Sequence, residues 1–245
     1  MTTLIKLEII RALRNKKFMF FSVIYPPALY LIIAGGADSK PIPGMKLDMG
    51  LYFMVSMAAF GAMTAVLLGN SERIAKEREK GWVRQLRLTA LPGRGYVAAK
   101  IAAAATVSLP SIVLVMIAGA AVKGVRLEAW QWAAIVLGTW LGSFVFAALG
   151  VAIGYLATGD AVRPISMLVY FALAFLGGLW MPLTILPQWV QNIAEWLPTH
   201  AYAALGTAVE AGGAPHGKDV AILLGYLVLF AGGAAWLYRR DARAA

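Results

Sequence analysis

The sequence predicts an all-α, polytopic membrane protein with six transmembrane helices. Three observations predict it. Apolar residues fill 60 % of the 245 positions and charged residues only 14 %, against about 25 % charged in a soluble domain. Several apolar runs approach the roughly 20 residues that cross a hydrocarbon core. All twelve carboxylates and all 22 Lys and Arg fall between those runs. A single soluble core of this composition would leave too much apolar surface in water.

The six spans read as residues 18–37, 49–69, 101–122, 132–157, 165–181 and 220–237. Basic residues alternate between the connections. Seventeen lie in the N-terminal segment, the second and fourth connections and the tail, and five lie in the others. Positive charge gathers on the cytoplasmic side of membrane proteins, so both termini and residues 70–100 are expected in the cytoplasm of a multi-pass plasma (inner) membrane protein. The same pattern assigns the net charge of +10 to cytoplasmic loops, with no nucleic-acid partner. The basic start, apolar run and Gly35-Gly36-Ala37 look like a secretory signal, but a retained first span is the simpler reading. No Cys is present, which excludes disulfides and Cys-based metal or redox chemistry.

Before the first span, Ile5, Ile9, Ala12 and Leu13 share one helical face, with Glu8, Arg11 and Asn15 opposite. This pattern suits an amphipathic helix on the inner leaflet or a cytosolic extension of span one.

Residues 77–92, EREKGWVRQLRLTALP, hold the densest charge in the chain. Span two continues into a charged helix in which Glu72 and Lys76 pair at i,i+4. Gly81 redirects it. Trp82, Val83 and Leu86 then form an apolar face away from Arg84 and Arg87, and Pro92 ends the segment. Such a helix either lies on lipid or fills a groove on a partner protein. Three acids among residues 72–79 favour the protein partner, because anionic headgroups would repel them.

After span five, Pro182, Pro187 and Pro198 interrupt the chain, and Gln188, Gln191, Asn192 and Glu195 argue against a seventh span. Trp189, Val190, Ile193, Trp196 and Leu197 share a face, giving a short helix at the outer interface. Trp130, Trp132, Trp180, Trp189 and Trp196 are expected in an outer aromatic belt.

No catalytic site, metal site or bound cofactor is read from the sequence. Residues 212–219 fit G-x-x-x-x-G-K, but Asp219 stands where a phosphate loop needs Ser or Thr for Mg²⁺. His200 and His216 have no convergent set of metal ligands around them. The spans carry no Asp, Glu, His or Arg for a coupling ion, so energy for transport must enter from outside the membrane region. Gly138/Gly142 and Gly150/Gly154 are G-x-x-x-G pairs, read as packing within one chain. Pro110 predicts a kink in span three.

Three features resemble the permease subunits of ATP-binding cassette exporters of the second type, which export drugs, lipids and polysaccharides. They are the basic amphipathic N-terminus, the loop with Glu77, Arg78, Glu79, Gly81, Leu86, Leu91 and Pro92, and the stretch from Met181 to His200. The resemblance covers nearly the whole chain and implies a single permease domain over residues 1–245. Its parts would be an N-terminal segment (1–17), a coupling loop (70–100) and an outer region (182–219). The loop would dock on a separate ATP-binding subunit, with Glu77, Arg78, Glu79 and Gly81 in the contact region and Trp82, Val83 and Leu86 as its apolar face. ATP and Mg²⁺ would sit on that partner. A homodimer of permease chains would surround a route for a hydrophobic or amphipathic substrate, above two ATPase chains. Pro182, Pro187, Trp189, Trp196 and Pro198 would belong to outer re-entrant helices. A membrane scaffold or immunity-type protein that docks a partner through the same loop is the alternative.

Overall fold

The computed structural model describes residues 2–36, 49–82, 85, 93–157 and 159–243, and no strand occurs among the described residues. Among the described residues, six helices are long and apolar enough to cross a membrane: Lys16–Gly35, Met49–Glu79, Gly95–Val122, Ala129–Leu156, Gly159–Leu176 and Gly217–Asp241. The chain is a multi-pass, all-α membrane protein, as its composition predicts.

Helix α1 (Thr2–Leu13) precedes the first span. That span comprises α2 (Lys16–Met19), a π-helical turn (Phe20–Ile24) and α3 (Tyr25–Gly36). The turn has a local cause. Pro26 and Pro27 lack the N–H groups that would bond the carbonyls of Ser22 and Val23, and the Tyr25 N–H reaches back five residues to Phe20 O.

The second span comprises α4 (Met49–Met63), a π-helical turn (Thr64–Leu68) and α5 (Gly69–Glu79). It is the core of the molecule: 83 % of its apolar stretch is buried within the chain. A helix that is apolar all round is a buried one. Its 31 residues rise about 46 Å at 1.5 Å each, well beyond a hydrocarbon core of about 30 Å. Helix α5 therefore stands out of the apolar layer.

Around this centre pack α6 (Gly93–Val122), α7 (Ala129–Leu156) and α8 (Val162–Leu176). Beyond α8 come α9 (Gln188–Ala194), α10 (Pro198–Glu210) and the last span, α11 (Gly217–Arg243). The glycine pairs act within the chain. A Cβ on Gly142 would meet the Tyr202 ring at 2.4 Å, one on Gly150 would meet Leu67 O at 2.6 Å, and one on Gly154 would meet Ile74 Cβ at 2.9 Å. Pro110 lies inside the unbroken α6.

Two expected boundaries move. The third helix starts at Gly93, eight residues before the apolar run, because Lys100 is paired inside the protein. The fifth ends at Leu176, where Gly178 takes φ +80° and Tyr52 donates a hydrogen bond to its carbonyl. The chain then doubles back. Trp180 stacks edge-on against Phe60 and Phe171, at 5.6 and 5.9 Å. Phe60 lies eleven residues into the second span, so Trp180 sits deeper than the expected aromatic belt.

Helix α9 divides its apolar residues between two faces. Val190 and Ala194 pack inward, while Trp189, Ile193 and Trp196 are exposed. Helix α10 runs back along α7. Gln131 Nε2 donates to Val209 O near one end, and Tyr202 donates to Thr139 O further along.

Candidate functional site at the base of the charged loop

Helix α5 carries Glu77 and Arg78 on its last turn. Helix α6 brings Tyr96 and Lys100 back beside it, and α1 supplies Glu8 and Arg11. Small and apolar side chains on the three helices are buried, among them Ala12, Ile74, Val97 and Ala99. Three charged groups then meet in the interior. Lys100, 1 % exposed, donates to Glu8 Oε1 at 2.8 Å and to Glu77 Oε1 at 2.7 Å. Both carboxylates are almost wholly buried.

Each remaining oxygen is also satisfied. Tyr96 Oη donates to Glu77 Oε2 at 3.0 Å and Arg73 donates to Glu8 Oε2 at 3.2 Å, while Arg11 adds a second donor to Glu77 Oε1 at 3.1 Å. The Lys100 ammonium also lies 5.5 Å from the Tyr96 ring centre. Two carboxylates face three cations. Buried charges persist only when paired and hydrogen-bonded in this way. Burial pushes the Glu8 carboxyl up, but Lys100 and then Arg73 outweigh it and hold it below its ordinary value.

Arg78 points to the other side of α5. Its guanidinium donates to Asp241 Oδ1 from two nitrogens, at 2.7 and 3.2 Å, and to the carbonyls of Gly154 and Ala157 at 3.0 and 3.3 Å. Those carbonyls end α7, where intrahelical partners run out. Arg78 thus ties the loop stem to α7 and to the end of α11, and its guanidinium lies 5.2 Å from the Tyr155 ring centre. Glu8, Glu77, Lys100 and Asp241 therefore lie at one end of the bundle.

A family model described as ABC-2 family transporter protein matches residues 17–238. This chain belongs to the ABC-2 transporter family. It is 32 % identical over 225 residues to the "Putative transport permease YvfS" of Bacillus subtilis (strain 168), with 91 % of this chain and 90 % of that protein covered. The chain is a transport permease of an ABC-2 system.

In this ABC-2 permease the loop residues read from the sequence divide into two sets. Glu77 is buried and Arg78 is bound within the chain. Glu79 and Lys80 are exposed, Gly81 takes φ +69°, and Trp82 is 41 % exposed. Val83, Leu86, Leu91 and Pro92 lie outside the described residues.

Two expectations are corrected. Glu8 belongs to the inward face of α1 with Ala12, while Leu7, Ile10 and Leu13 are exposed. The acids of residues 72–79 also have an intrachain explanation. Glu72 lies 3.8 Å from Lys76 and 3.6 Å from Arg163, and Glu77 is held by Lys100 and Arg11. These two acids therefore carry no argument for a protein partner.

The ABC-2 permease places Pro182, Pro187 and Pro198 at element starts. Pro182 precedes a 3₁₀ turn (Leu183–Ile185), Pro187 precedes α9, and Pro198 opens α10, where its missing N–H leaves no helical bond unmade. The glycine-rich segment at residues 212–219 follows helix α10 rather than a strand, so it lacks the context of a phosphate loop. His200 is half-buried, and burial lowers its pKa below the ordinary imidazole value.

Sequence reading missed Lys100, Tyr96 and Glu8 as one unit. Lys100 counted among the loop cations because it borders an apolar run. The available signal was Glu8 amid Leu4, Ile5, Ile9 and Ala12, a carboxylate on a face that otherwise packs.

Proposed function

We propose that this permease is the membrane subunit of an ATP-driven exporter, energised by a separate ATP-binding subunit that docks on the 70–100 loop. One observation carries the reading: the two ends of that loop are stapled by Lys100 and Glu77, while Glu79, Lys80 and Trp82 remain exposed beyond the staple. A rigid base with an exposed tip suits a joint that receives force. Displacement of the tip reaches the second span through α5 and the third through α6.

ATP and Mg²⁺ belong to the partner in this scheme. Two permease chains form a homodimer around the substrate route, with the termini and the loop in the cytoplasm and the plasma membrane as the site of action. ATP favours the outward-open state by making better contacts with it than with the inward state. The apolar, uncharged spans suit a hydrophobic or amphipathic substrate. The doubled-back chain at Gly178 and the course of α10 along α7 support a re-entrant outer region closing that route.

The test is purification of the tagged chain from its native membranes in mild detergent, with mass spectrometry of what accompanies it. An ATP-binding subunit in equimolar ratio is expected, and it is lost in Glu79→Lys with Trp82→Asp. Recovery of the chain alone, or with a partner that binds no ATP, overturns the reading in favour of a membrane scaffold.

A further inference from the structure

A cleft of about 290 Å³ opens between Trp196 and α11, lined by Ile222, Gly225, Tyr226 and Leu229. Its walls are almost entirely apolar. At its rim, Lys218 Nζ lies 5.0 Å from the Trp196 ring centre and 3.2 Å from Glu195 Oε2. Both charged side chains are about half exposed. The ammonium has three donors, and Glu195 takes one.

The geometry points to a bound bilayer phospholipid with a zwitterionic, amine-bearing headgroup. Lys218, Ile222, Gly225 and Leu229 recur at helical spacing, so they form one stripe down α11. From Lys218 to Leu229 the stripe descends about 16 Å at 1.5 Å per residue, about half of a hydrocarbon core of roughly 30 Å. A cation–anion pair at the top and an apolar furrow below it, between Ile222 and Leu229, match such a lipid. The phosphate meets Lys218, the amine meets Glu195, and one acyl chain lies against Gly225. A side chain at Gly225 would close the furrow, and its Cβ would meet nothing within 4 Å. The furrow is therefore shaped by the missing side chain and not by packing need. This site is independent of how the permease is energised.

The test reconstitutes the full chain in vesicles of phosphatidylethanolamine and phosphatidylglycerol. A trace of phosphatidylethanolamine bears a photoreactive group in one acyl chain, and adducts are mapped by mass spectrometry. Adducts are expected to concentrate on residues 189–197 and 222–229. In Gly225→Leu they fall about tenfold, the factor set by displacing about two methylenes from an apolar site, while adducts on exposed Leu168 and Phe171 stay constant. With both Lys218→Ala and Glu195→Ala, labelling no longer favours the ethanolamine lipid over an acyl-labelled phosphatidylglycerol. Uniform labelling of α8 and α11, or unchanged labelling in Gly225→Leu, would each overturn the site.

Discussion

The Lys100 ammonium lies 2.7 Å from the Glu77 carboxylate, although the whole charged loop separates the two residues in sequence. The contact closes the loop at its base, and Glu8 extends the closure to α1. The N-terminal helix is therefore part of the loop's foundation. Its ionic bonds reach α5 and α6, while Leu7, Ile10 and Leu13 remain exposed on its other face. A movement of the loop stem must carry α1 with it or break buried ion pairs.

Lys100→Met should be the most damaging single change in this cluster. It leaves two buried carboxylates without their shared cation, and removing one partner of a buried pair costs about 3–5 kcal/mol. Adding Glu8→Gln and Glu77→Gln should recover most of that loss, because no buried carboxylate is then left without its shared cation. Thermal unfolding in detergent checks both outcomes. A triple variant no more stable than Lys100→Met would show that the three charges do not act as a unit.

The attachment of α1 should depend on pH in one direction only. The Glu8 carboxyl is held below its ordinary value of 4.5, so the folded state favours its charged form. Its contribution is complete above about pH 4.5 and fades as pH falls through the lower folded value. Spin labels on α1 and α6 should report a constant distance from pH 8 to pH 5 and separation only in stronger acid. Loosening between pH 6 and 7 would contradict this assignment.

The number of spans was legible because apolar run length and charge placement are direct consequences of solvation. Trp180 and Lys100 were misjudged for a shared reason. Each was placed by its residue type, Trp to the interface and Lys to the loop, but tertiary partners override type. Phe60 and Phe171 hold the edge of Trp180 against the second and fifth spans although it stays partly exposed, and Glu8 and Glu77 make burial of Lys100 tolerable. In a membrane the larger apolar side chains Trp189, Ile193 and Trp196 can face outward, while small Val190 and Ala194 allow close packing.

Arg78→Lys should destabilise the permease although it conserves charge. Arg78 uses its planar fork to serve Asp241 and two helix-ending carbonyls at once, and an ammonium cannot reproduce that geometry. The expected loss is about 1.5–3 kcal/mol, the value of hydrogen bonds to charged groups, with protection from hydrogen exchange falling at residues 238–241. A Lys variant that unfolds at the wild-type temperature would reduce Arg78 to a surface charge.

Gly150→Leu and Gly232→Leu should differ sharply. The first forces a side chain into the backbone of the second span, whose Leu67 O would lie 2.6 Å from the new Cβ, and backbone cannot swing aside. The second meets nothing within 4 Å and faces open space. Folded yield in detergent should collapse for Gly150→Leu and persist for Gly232→Leu. Equal yields would mean that α7 and the second span do not pack in close contact at Gly150.

Gly81→Pro separates the tip of the loop from its base. Gly81 has φ +69° and its N–H donates to Arg78 O at 3.0 Å. Proline requires φ near −65° and has no N–H, so the chain beyond residue 81 must leave in another direction. No neighbour lies within 4 Å of the position, and the Lys100–Glu77 contact is made on the preceding turn. The expected result is an unfolding temperature close to wild type, together with loss of ATP-dependent substrate movement in proteoliposomes that contain the ATP-binding subunit. Transport at the wild-type rate would show that the direction of the tip is immaterial, and that energy enters the permease elsewhere.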